Sequence, residues 1–294
     1  MSDNPAKVVD WRSWAGLSVL VMAWGSSFLL ISFALRDLDP FFVTGARIAL
    51  AALVVGSVAR ALGGPFPSEA RFWLWSAPIG VTALIAPFSL YTWAQVETPS
   101  GVVAIYIAAA PLVALVLAHL FTDESITKRG AMGFVVGFAG VVTLIGVENL
   151  SNLGNGQLWR EVAAAGAAFA FAIGAILVRL APRYNPLHAT AGALIVAAVI
   201  YLPFTINLAP EVFPGWRAIG IVAILGLVQT GLAQVTRYLL IKRSGVMFAT
   251  QTSYLLPIWA LMLGWLFLGE TLSTGDAAGF ALILCGLAVT RSGK

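Results

Sequence analysis

The sequence predicts an all-α integral membrane protein, with ten transmembrane helices arranged as two inverted five-helix repeats. Of the 294 residues, 60% are hydrophobic and only 10% are charged, and the mean hydropathy is +0.91. A soluble globular domain carries roughly 25% charged residues, so this composition excludes a soluble fold. The other two observations are ten long apolar stretches and an internal repeat at a constant offset of 146 residues.

The apolar stretches have the length of membrane-spanning helices, since a bilayer core about 30 Å thick requires about 20 apolar residues. They are apolar on all faces, whereas the strands of a membrane β-barrel alternate apolar and polar residues. The predicted spans lie near residues 13–34, 41–60, 72–95, 99–121, 130–147, 160–179, 188–208, 217–240, 245–268 and 275–291.

The basic residues predict the orientation of these spans. Twelve of the 17 Lys and Arg residues lie in the termini and in alternate loops on one side, from Lys7 to Lys294. Three lie on the other side, and two, Arg47 and Arg237, fall within spans. By the positive-inside rule both termini are expected in the cytoplasm. The excess of Lys and Arg on the cytoplasmic side thus accounts for the net charge of +4, and no nucleic-acid partner is expected.

The repeat predicts two units, residues 1–148 and 149–294. Each unit has five spans, an odd number, so the second must enter the membrane from the opposite side. Inverted repeats are typical of transporters that work by alternating access, and we expect the two halves to rock against each other. An offset of 146 relates Pro40 to Pro186, Gly80 to Gly226, Pro111 to Pro257, Glu124 to Glu270, Gly133 to Gly279 and Gly140 to Gly286.

Several of these residues resemble motifs of the drug/metabolite transporter superfamily, in its ten-span branch with two EamA-type repeats. The similar segments are Trp24-Gly25-Ser26-Ser27-Phe28, Pro40 with Arg47 seven residues later, Pro111 with Phe121-Thr122-Asp123-Glu124-Ser125, and Pro257 with Leu268-Gly269-Glu270-Thr271-Leu272. The segment after Pro111 and the segment after Pro257 are two copies of one family motif. The first copy departs from the motif, because it has Thr122-Asp123 where the second has Leu268-Gly269. Aromatic amino-acid and metabolite exporters of bacterial inner membranes look most similar, which implies a multi-pass inner-membrane location.

Arg47 is the most informative candidate, because it lies about 10 Å inside the second span at 1.5 Å per residue. A charge at that depth is costly unless it faces a polar cavity or a partner. Arg47 either contacts a substrate carboxylate or has a structural role, capping carbonyl groups or pairing with Glu97. Arg237 lies close enough to the end of the eighth span for its side chain to reach the membrane surface.

Polar and aromatic residues in the middle of spans outline a possible solute-binding cavity. Glutamine amides in hydrocarbon need partners, which a polar solute or a neighbouring helix can supply. A cavity lined by amide groups and aromatic rings, with few charged groups, would fit a zwitterion that has an apolar side chain. The predicted substrate-binding residues are Trp24, Ser27, Arg47, Tyr91, Gln95, Tyr106, Gln229, Gln234, Tyr238, Gln251 and Tyr254.

Two further patterns concern helix geometry. The repeat-related Pro111 and Pro257 interrupt spans four and nine, and are expected to be either hinges or static kinks. Spans five and ten carry Gly133-x3-Gly137 and Gly275-x3-Gly279, a spacing that allows close helix packing. We expect these two spans to support each half from the periphery or to form a dimer contact.

These patterns predict a secondary transporter that exports small amphipathic solutes, amino acids or related metabolites. The alternatives are a channel, a non-transporting membrane scaffold or a lipid-acting membrane enzyme. Neither an enzymatic activity nor a metal or other cofactor is expected. The expected partners are a small-molecule solute and membrane lipid, with the protein as a monomer or a homodimer. No Asp or Glu was expected deep within a span, which favours a facilitator over a proton-coupled carrier.

Overall fold

The computed structural model describes residues 9–122, 126–145 and 156–291, and ten long helices account for most of them. A four-residue helix, Val246–Ala249, lies between the eighth and the ninth. The ten are α1 Trp11–Ala34, α2 Pro40–Gly63, α3 Ala70–Ala94, α4 Ser100–Phe121, α5 Lys128–Ile145, α6 Gly156–Leu180, α7 Pro186–Asn207, α8 Trp216–Ser244, α9 Thr252–Leu268 and α10 Thr274–Arg291.

The helices confirm the predicted all-α membrane fold. By length and apolar composition seven of the described helices can cross a membrane, while α9 and α10 are shorter apolar helices. The largest difference from prediction is at α9, which begins at Thr252 rather than near residue 245. Helix α6 begins at Gly156 rather than near residue 160. Lys7, Asp123, Glu124, Lys294 and the predicted repeat boundary at residues 148 and 149 lie outside the described residues.

Repeat-related residues begin α2 and α7 in the same way. The Asp39 carboxylate accepts hydrogen bonds from the backbone N–H groups of Phe41 and Phe42, at 2.8 and 3.2 Å. Asn185, 146 residues later in the sequence, accepts one from the N–H of Leu187 at 2.9 Å. In both helices proline follows at the first position, where its missing N–H costs nothing.

Glycines on α5 and α10 show that the two repeats are inverted. A Cβ atom added to Gly133 would lie 2.5 Å from the carbonyl oxygen of Gly286, and one added to Gly140 would lie 2.7 Å from that of Gly279. Ascending numbers on α5 thus meet descending numbers on α10, so the helices are antiparallel. The 146-residue offset converts each of these two contacts into the other, as a two-fold axis perpendicular to the helices requires.

The same axis relates contacts that α3 and α8 make. A Cβ atom on Gly80 would lie 2.7 Å from the carbonyl oxygen of Ala193 on α7, and one on Gly226 would lie 3.1 Å from that of Arg47 on α2. Ala193 is the repeat equivalent of Arg47 at the same 146-residue offset. Only glycine permits such close backbone approach, so these positions fix α3 on α7 and α8 on α2.

The two sequence halves interlock rather than forming separate bodies. Helix α1 packs against α8 and α9, and its repeat equivalent α6 packs against α3 and α4. We call these sets the α1 bundle (α1, α8, α9) and the α6 bundle (α3, α4, α6). The pairs α2–α7 and α5–α10 also join the two halves. Because each bundle combines helices from both halves, the expected rocking of one half against the other does not match the packing.

Each bundle has an ion pair at one end. On the face that carries the start of α1, which we call the terminal face, Arg243 of α8 pairs with Asp10. On the opposite face, which we call the distal face, Arg160 of α6 pairs with Glu97 at 3.2 Å. The repeat offset of 146 relates Glu97 to Arg243, so one residue of each pair occupies an equivalent position with the opposite charge.

Candidate functional site

Arg47 lies at the place where α2, α3 and α8 meet. Its side chain is 4% exposed. The Nε–H donates to the hydroxyl of Thr230 on α8 at 2.6 Å, and Nη1 donates to the hydroxyl of Tyr91 on α3. The guanidinium carbon lies 4.4 Å from the centre of the Phe88 ring, within cation–π range. Arg47 thus contacts one helix of each bundle.

The backbone around Thr230 explains how its hydroxyl reaches Arg47. Residues Ile224–Leu232 form a π-helical segment in α8, and the hydroxyl of Thr230 donates to the carbonyl oxygen of Leu225 at 2.9 Å. That bond uses the only hydroxyl hydrogen, so the oxygen is free to accept from Arg47. A shorter π segment, Val81–Ile85, occupies the equivalent part of α3. Such segments frequently occur at functional sites.

The charge of Arg47 is not balanced by a carboxylate among the described residues. The structural alternative that paired it with Glu97 is wrong, since Glu97 accepts from Arg160 at 3.2 Å instead. Two neutral hydroxyl groups and an aromatic ring orient the guanidinium, but they bring no negative charge. A buried cation without a counter-ion costs several kcal/mol, and an anionic solute would lower that cost.

Three other predicted site residues have buried polar atoms without a described hydrogen-bond partner. They are the side-chain oxygens of Gln95, Tyr106 and Gln229. Gln95 lies one turn from Tyr91 on α3 and donates through its amide nitrogen to the carbonyl oxygen of Phe28, at 2.8 Å. Gln229 is the neighbour of Thr230 on α8. An unsatisfied buried polar atom costs roughly 1–3 kcal/mol, so this region of the protein is incomplete as a hydrogen-bonded core.

The remaining predicted residues have other contacts. Trp24 packs against the buried cluster that includes Leu17 and Ala233, within the α1 bundle. The hydroxyl of Ser27 donates to the carbonyl oxygen of Trp24 at 2.6 Å. Tyr254 donates to a carbonyl oxygen of α10 at 3.4 Å. Gln234, Tyr238 and Gln251 are half-buried. The structure therefore brings Arg47 and Tyr91 together, with Gln95 one turn further along α3.

Two further charged residues, Arg237 and Glu161, lie within helices. Arg237 is exposed and lies seven residues before the end of α8 at Ser244; that its side chain reaches the membrane surface stays a prediction. No acidic residue was expected deep within a span, and the structure shows a buried one in the second turn of α6. Glu161 lies more than one turn inside α6 and is only 5% exposed. The sequence placed this residue near a helix end because it assigned the start of α6 too late.

The repeat symmetry is broken at this site. At the offset of 146 residues Arg47 corresponds to Ala193, Tyr91 to Arg237, and Thr230 to Leu84. The glycines and prolines that shape the helices occur in both copies, whereas the polar groups around Arg47 occur in one. Residues that differ between the two copies do not obey the two-fold symmetry. Such residues are available to recognise a solute that is itself asymmetric.

The sequence did not single out Thr230 or Phe88. Thr230 is one hydroxyl among many in apolar spans, and only the π segment directs it to Arg47. Phe88 lies three residues before Tyr91, on the same face of α3, and that spacing was a usable signal. Ser100 was also missed: it is 1% exposed and contacts the carboxylate of Glu270, which no sequence pattern links to it.

A search of known families matches nearly the whole chain. The model described as the EamA-like transporter family matches twice, over residues 12–146 and 158–292. A solved crystal structure has a TM-score of 0.67 to this fold with 19% sequence identity, and the match covers 96% of this chain and 98% of that one. At this identity the structural similarity shows a shared fold.

Curated relatives of similar length are named as transporters. An uncharacterized transporter of Archaeoglobus fulgidus is 24% identical, over 94% of this chain and 97% of its own length. The uncharacterized inner membrane transporter YedA of Escherichia coli strain K12 is 26% identical, over 95% and 90%. A probable terminal-alkyne amino-acid exporter of Streptantibioticus cattleyicolor is 29% identical, over 93% and 91%.

Proposed function

Because this chain belongs to the EamA-like transporter family, we propose that it is a secondary transporter that exports small amphipathic solutes by alternating access. The proposed substrates are amino acids or related metabolites with an apolar side chain. The named function of one relative, an amino-acid exporter 29% identical to this chain, supports this substrate class. The transporter names of the other relatives favour passage of a solute over the enzyme and scaffold alternatives.

The observation that carries the proposal is the buried, unbalanced charge of Arg47. Its guanidinium is held in place by Thr230 and Tyr91, so its direction is fixed before a solute arrives. Arginine matches the geometry of a carboxylate, and hydrogen bonds between charged groups are about twice as strong as neutral ones. The carboxylate of a solute would supply the counter-ion that the described residues lack.

Two unsatisfied oxygens, on residues close in sequence to the hydrogen-bond partners of Arg47, support a zwitterion over a simple anion. Gln95 lies one turn from Tyr91 and Gln229 adjoins Thr230, and the side-chain oxygen of each glutamine has no described donor. An ammonium group has three N–H donors and no acceptor. An amino acid therefore offers both groups that this region lacks, and an apolar side chain would contact the aromatic rings of Phe88 and Tyr91.

For the conformational change we propose that the α1 bundle moves against the α6 bundle, on the paired helices α2–α7 and α5–α10. Arg47 donates to α8 of one bundle and to α3 of the other. A solute that binds Arg47 therefore lies at the boundary between the moving parts. This is the position from which release to either face is possible.

The remaining parts of the proposal concern topology. Both termini lie in the cytoplasm, by the positive-inside rule, so the terminal face is cytoplasmic and the distal face is extracytoplasmic. The repeats divide between residues 148 and 149, and the protein acts as a monomer or a homodimer. Since Glu161 is buried within α6, coupling to protons must be measured. A facilitator was preferred because no buried carboxylate was expected, and the buried Glu161 removes that reason.

Counterflow in proteoliposomes tests the function. The vesicles are loaded with unlabelled phenylalanine or leucine, and entry of the labelled amino acid is followed with and without a pH gradient. A carrier should show saturable counterflow, and a channel would show continuous conductance instead. Lack of flux across a panel of amino acids and common metabolites would refute the substrate class.

The role of Arg47 is tested with the variant Arg47→Gln and a pair of related solutes. We expect the variant to lose tenfold or more of kcat/KM for phenylalanine, which is about 1.4 kcal/mol or more. Transport of phenethylamine, which lacks the carboxylate, should change little. Arg237→Gln is the matched control, since Arg237 lies on the surface of α8. Equal loss for both solutes would contradict carboxylate recognition.

A further inference from the structure

At the distal face, Glu270 joins the end of α9 to the start of α4. One carboxylate oxygen, Oε1, accepts from the backbone N–H of Ser100 at 2.7 Å. The other, Oε2, accepts from the hydroxyl of Ser100 at 3.0 Å and from the N–H of Gly101 at 3.1 Å. All three donors lie in the first turn of α4, where backbone N–H groups lack partners within the helix.

Glycines make room for this contact. A side chain at Gly264 would collide with the carboxylate of Glu270 and would bring a Cβ atom within 3.1 Å of the hydroxyl oxygen of Ser100. Gly269 has φ +67°, a left-handed conformation that glycine adopts without penalty. It ends α9 and turns the chain so that Glu270 faces α4. The contact between Glu270 and Ser100 therefore requires glycine at both Gly264 and Gly269.

The two helices joined by Glu270 belong to different bundles, α9 to the α1 bundle and α4 to the α6 bundle. The distal half of α4, Ser100–Ala108, lies against Thr252–Leu263 of α9. The terminal-face half of α4, Ala110–Phe121, packs on α6 and α5 instead, and Val246–Ala249 packs on α8. Contact between α4 and α9 is thus concentrated on the side where Glu270 lies.

We propose that Glu270 is a latch that holds the distal face closed and is released when the carrier opens toward that face. The inference rests on the alternating access proposed above. A carboxylate suits this role because it accepts several bonds at once, and a negative charge at a helix N-terminus is stabilised by the helix dipole. These bonds break together when α9 moves away from α4, and water can then solvate the carboxylate.

The variant Glu270→Gln keeps the size of the side chain but removes its charge and one acceptor. Loss of a charge-assisted hydrogen bond should shift the ratio of distal-open to distal-closed molecules by about tenfold or more. Ser100→Ala, which removes only the hydroxyl bond, should shift the ratio less and in the same direction. Ser100→Ala also keeps the inference testable if Glu270→Gln fails to fold.

Spin-label distances measure this ratio without any substrate. In a Cys285→Ala background, which removes the single cysteine, labels are attached at Trp159 and Trp216. These side chains are 56% and 80% exposed, and they begin α6 and α8 on the distal face. We expect Glu270→Gln to increase the population with a long distal distance. A second pair at Leu180 and Lys242 reports the terminal face, where the distance should shorten.

Glu97→Gln is the matched control. Glu97 is also a carboxylate on the distal face, but its ion pair with Arg160 lies within the α6 bundle, so its loss should leave the distal ratio unchanged. Unchanged distances in folded Glu270→Gln would overturn the latch, as would a loss of thermal stability without a change of the ratio. A protein that shows the shift but transports no amino acid would keep the latch and refute the proposed substrate.

Discussion

Arg47 illustrates how a membrane protein can keep a charge ready for a ligand. Its two described hydrogen-bond partners are neutral hydroxyls, from Thr230 and Tyr91. Such partners hold the guanidinium in one direction without neutralising it. A carboxylate in their place would have satisfied the charge permanently and would have removed the driving force for binding an anionic solute.

Thr230→Val tests whether this orientation matters. Valine has nearly the same shape but cannot accept from the Nε–H of Arg47, which would then be buried without a partner. We expect a loss of roughly 1–3 kcal/mol in the free energy of unfolding or in solute binding, read as a lower melting temperature or a higher KM. Thr236→Val is the control, because among the described residues the hydroxyl of Thr236 bonds to the carbonyl of Leu232 alone. Equal effects of the two variants would contradict the role of Thr230.

At the scale of elements, the contact between α1 and α8 includes an ion pair at the terminal face, beside the buried apolar cluster that the two helices share. Arg243 donates two hydrogen bonds to the carboxylate of Asp10. These bonds, with further bonds from Ser13, hold the pKa of the Asp10 carboxyl well below its usual range. Since the pKa is lowered in the folded state, the stabilisation is present above the pKa of the unfolded chain and is lost as pH falls toward the folded value.

Asp10→Asn should therefore lower the melting temperature at pH 7 but have a smaller effect at pH 3, below the ordinary aspartate pKa of about 3.9. Asparagine can still cap α1, so the comparison isolates the charge. Thermal unfolding in detergent at the two pH values measures the effect, with Asp37→Asn as a control in an exposed loop. A difference that grows as pH falls would contradict the assignment.

The packing of α5 on α10 depends on glycines that face a backbone. A Cβ atom at Gly133 would approach the carbonyl oxygen of Gly286 to 2.5 Å, so the helices would have to move apart. We expect Gly133→Ala to lower the free energy of unfolding by roughly 1–3 kcal/mol, measured by thermal or denaturant unfolding in detergent.

Gly220→Ala is the matched control for that variant. Gly220 also lies within a helix, but an added Cβ atom there would meet nothing within 4 Å. Alanine should stabilise the helix at this position by up to about 1 kcal/mol, because glycine is the poorer helix former. If Gly133→Ala behaved like Gly220→Ala, the close packing of α5 and α10 would be refuted.

At the scale of the whole molecule, the proposed moving parts are the α1 bundle and the α6 bundle, and each of them combines helices from both halves of the sequence. Within the α1 bundle, the hydroxyl oxygens of Ser13 and Ser244 are 2.6 Å apart. Between the bundles, Gly101 of α4 lies against Leu261 of α9, where a Cβ atom added to Gly101 would be 3.2 Å from the Cα atom of Leu261. A covalent link at the first place should leave the bundles free to move, whereas a link at the second should prevent the distal face from opening.

Disulfide cross-linking compares these two places in the Cys285→Ala background. Ser13→Cys with Ser244→Cys should retain transport after oxidation. Gly101→Cys with Leu261→Cys should lose it and recover on reduction. Counterflow in proteoliposomes before and after reduction gives the result. Full transport by the second pair, with cross-linking verified by mass spectrometry, would contradict motion between the bundles.

The sequence by itself determined the membrane class, the ten long helices and the inverted repeat. Composition and span length are properties of the chain that the bilayer imposes directly, and the constant offset survives because equivalent glycines and prolines shape both copies. The sequence also drew attention to Arg47, since a charge inside a span is rare and costly. It misplaced Glu161, because the start of α6 depends on packing that an apolar pattern does not record.

Only the tertiary structure decided which residues surround Arg47, how the halves interlock and which helices Glu270 connects. Tyr91 and Thr230 are 44 and 183 residues away from Arg47 in the chain, and Glu270 is 170 residues away from Ser100. A helix that is apolar on all sides gives no periodic signal of which face meets which neighbour. Helix partners in a membrane are chosen by close approach and by polar contacts, and those exist only once the helices are packed.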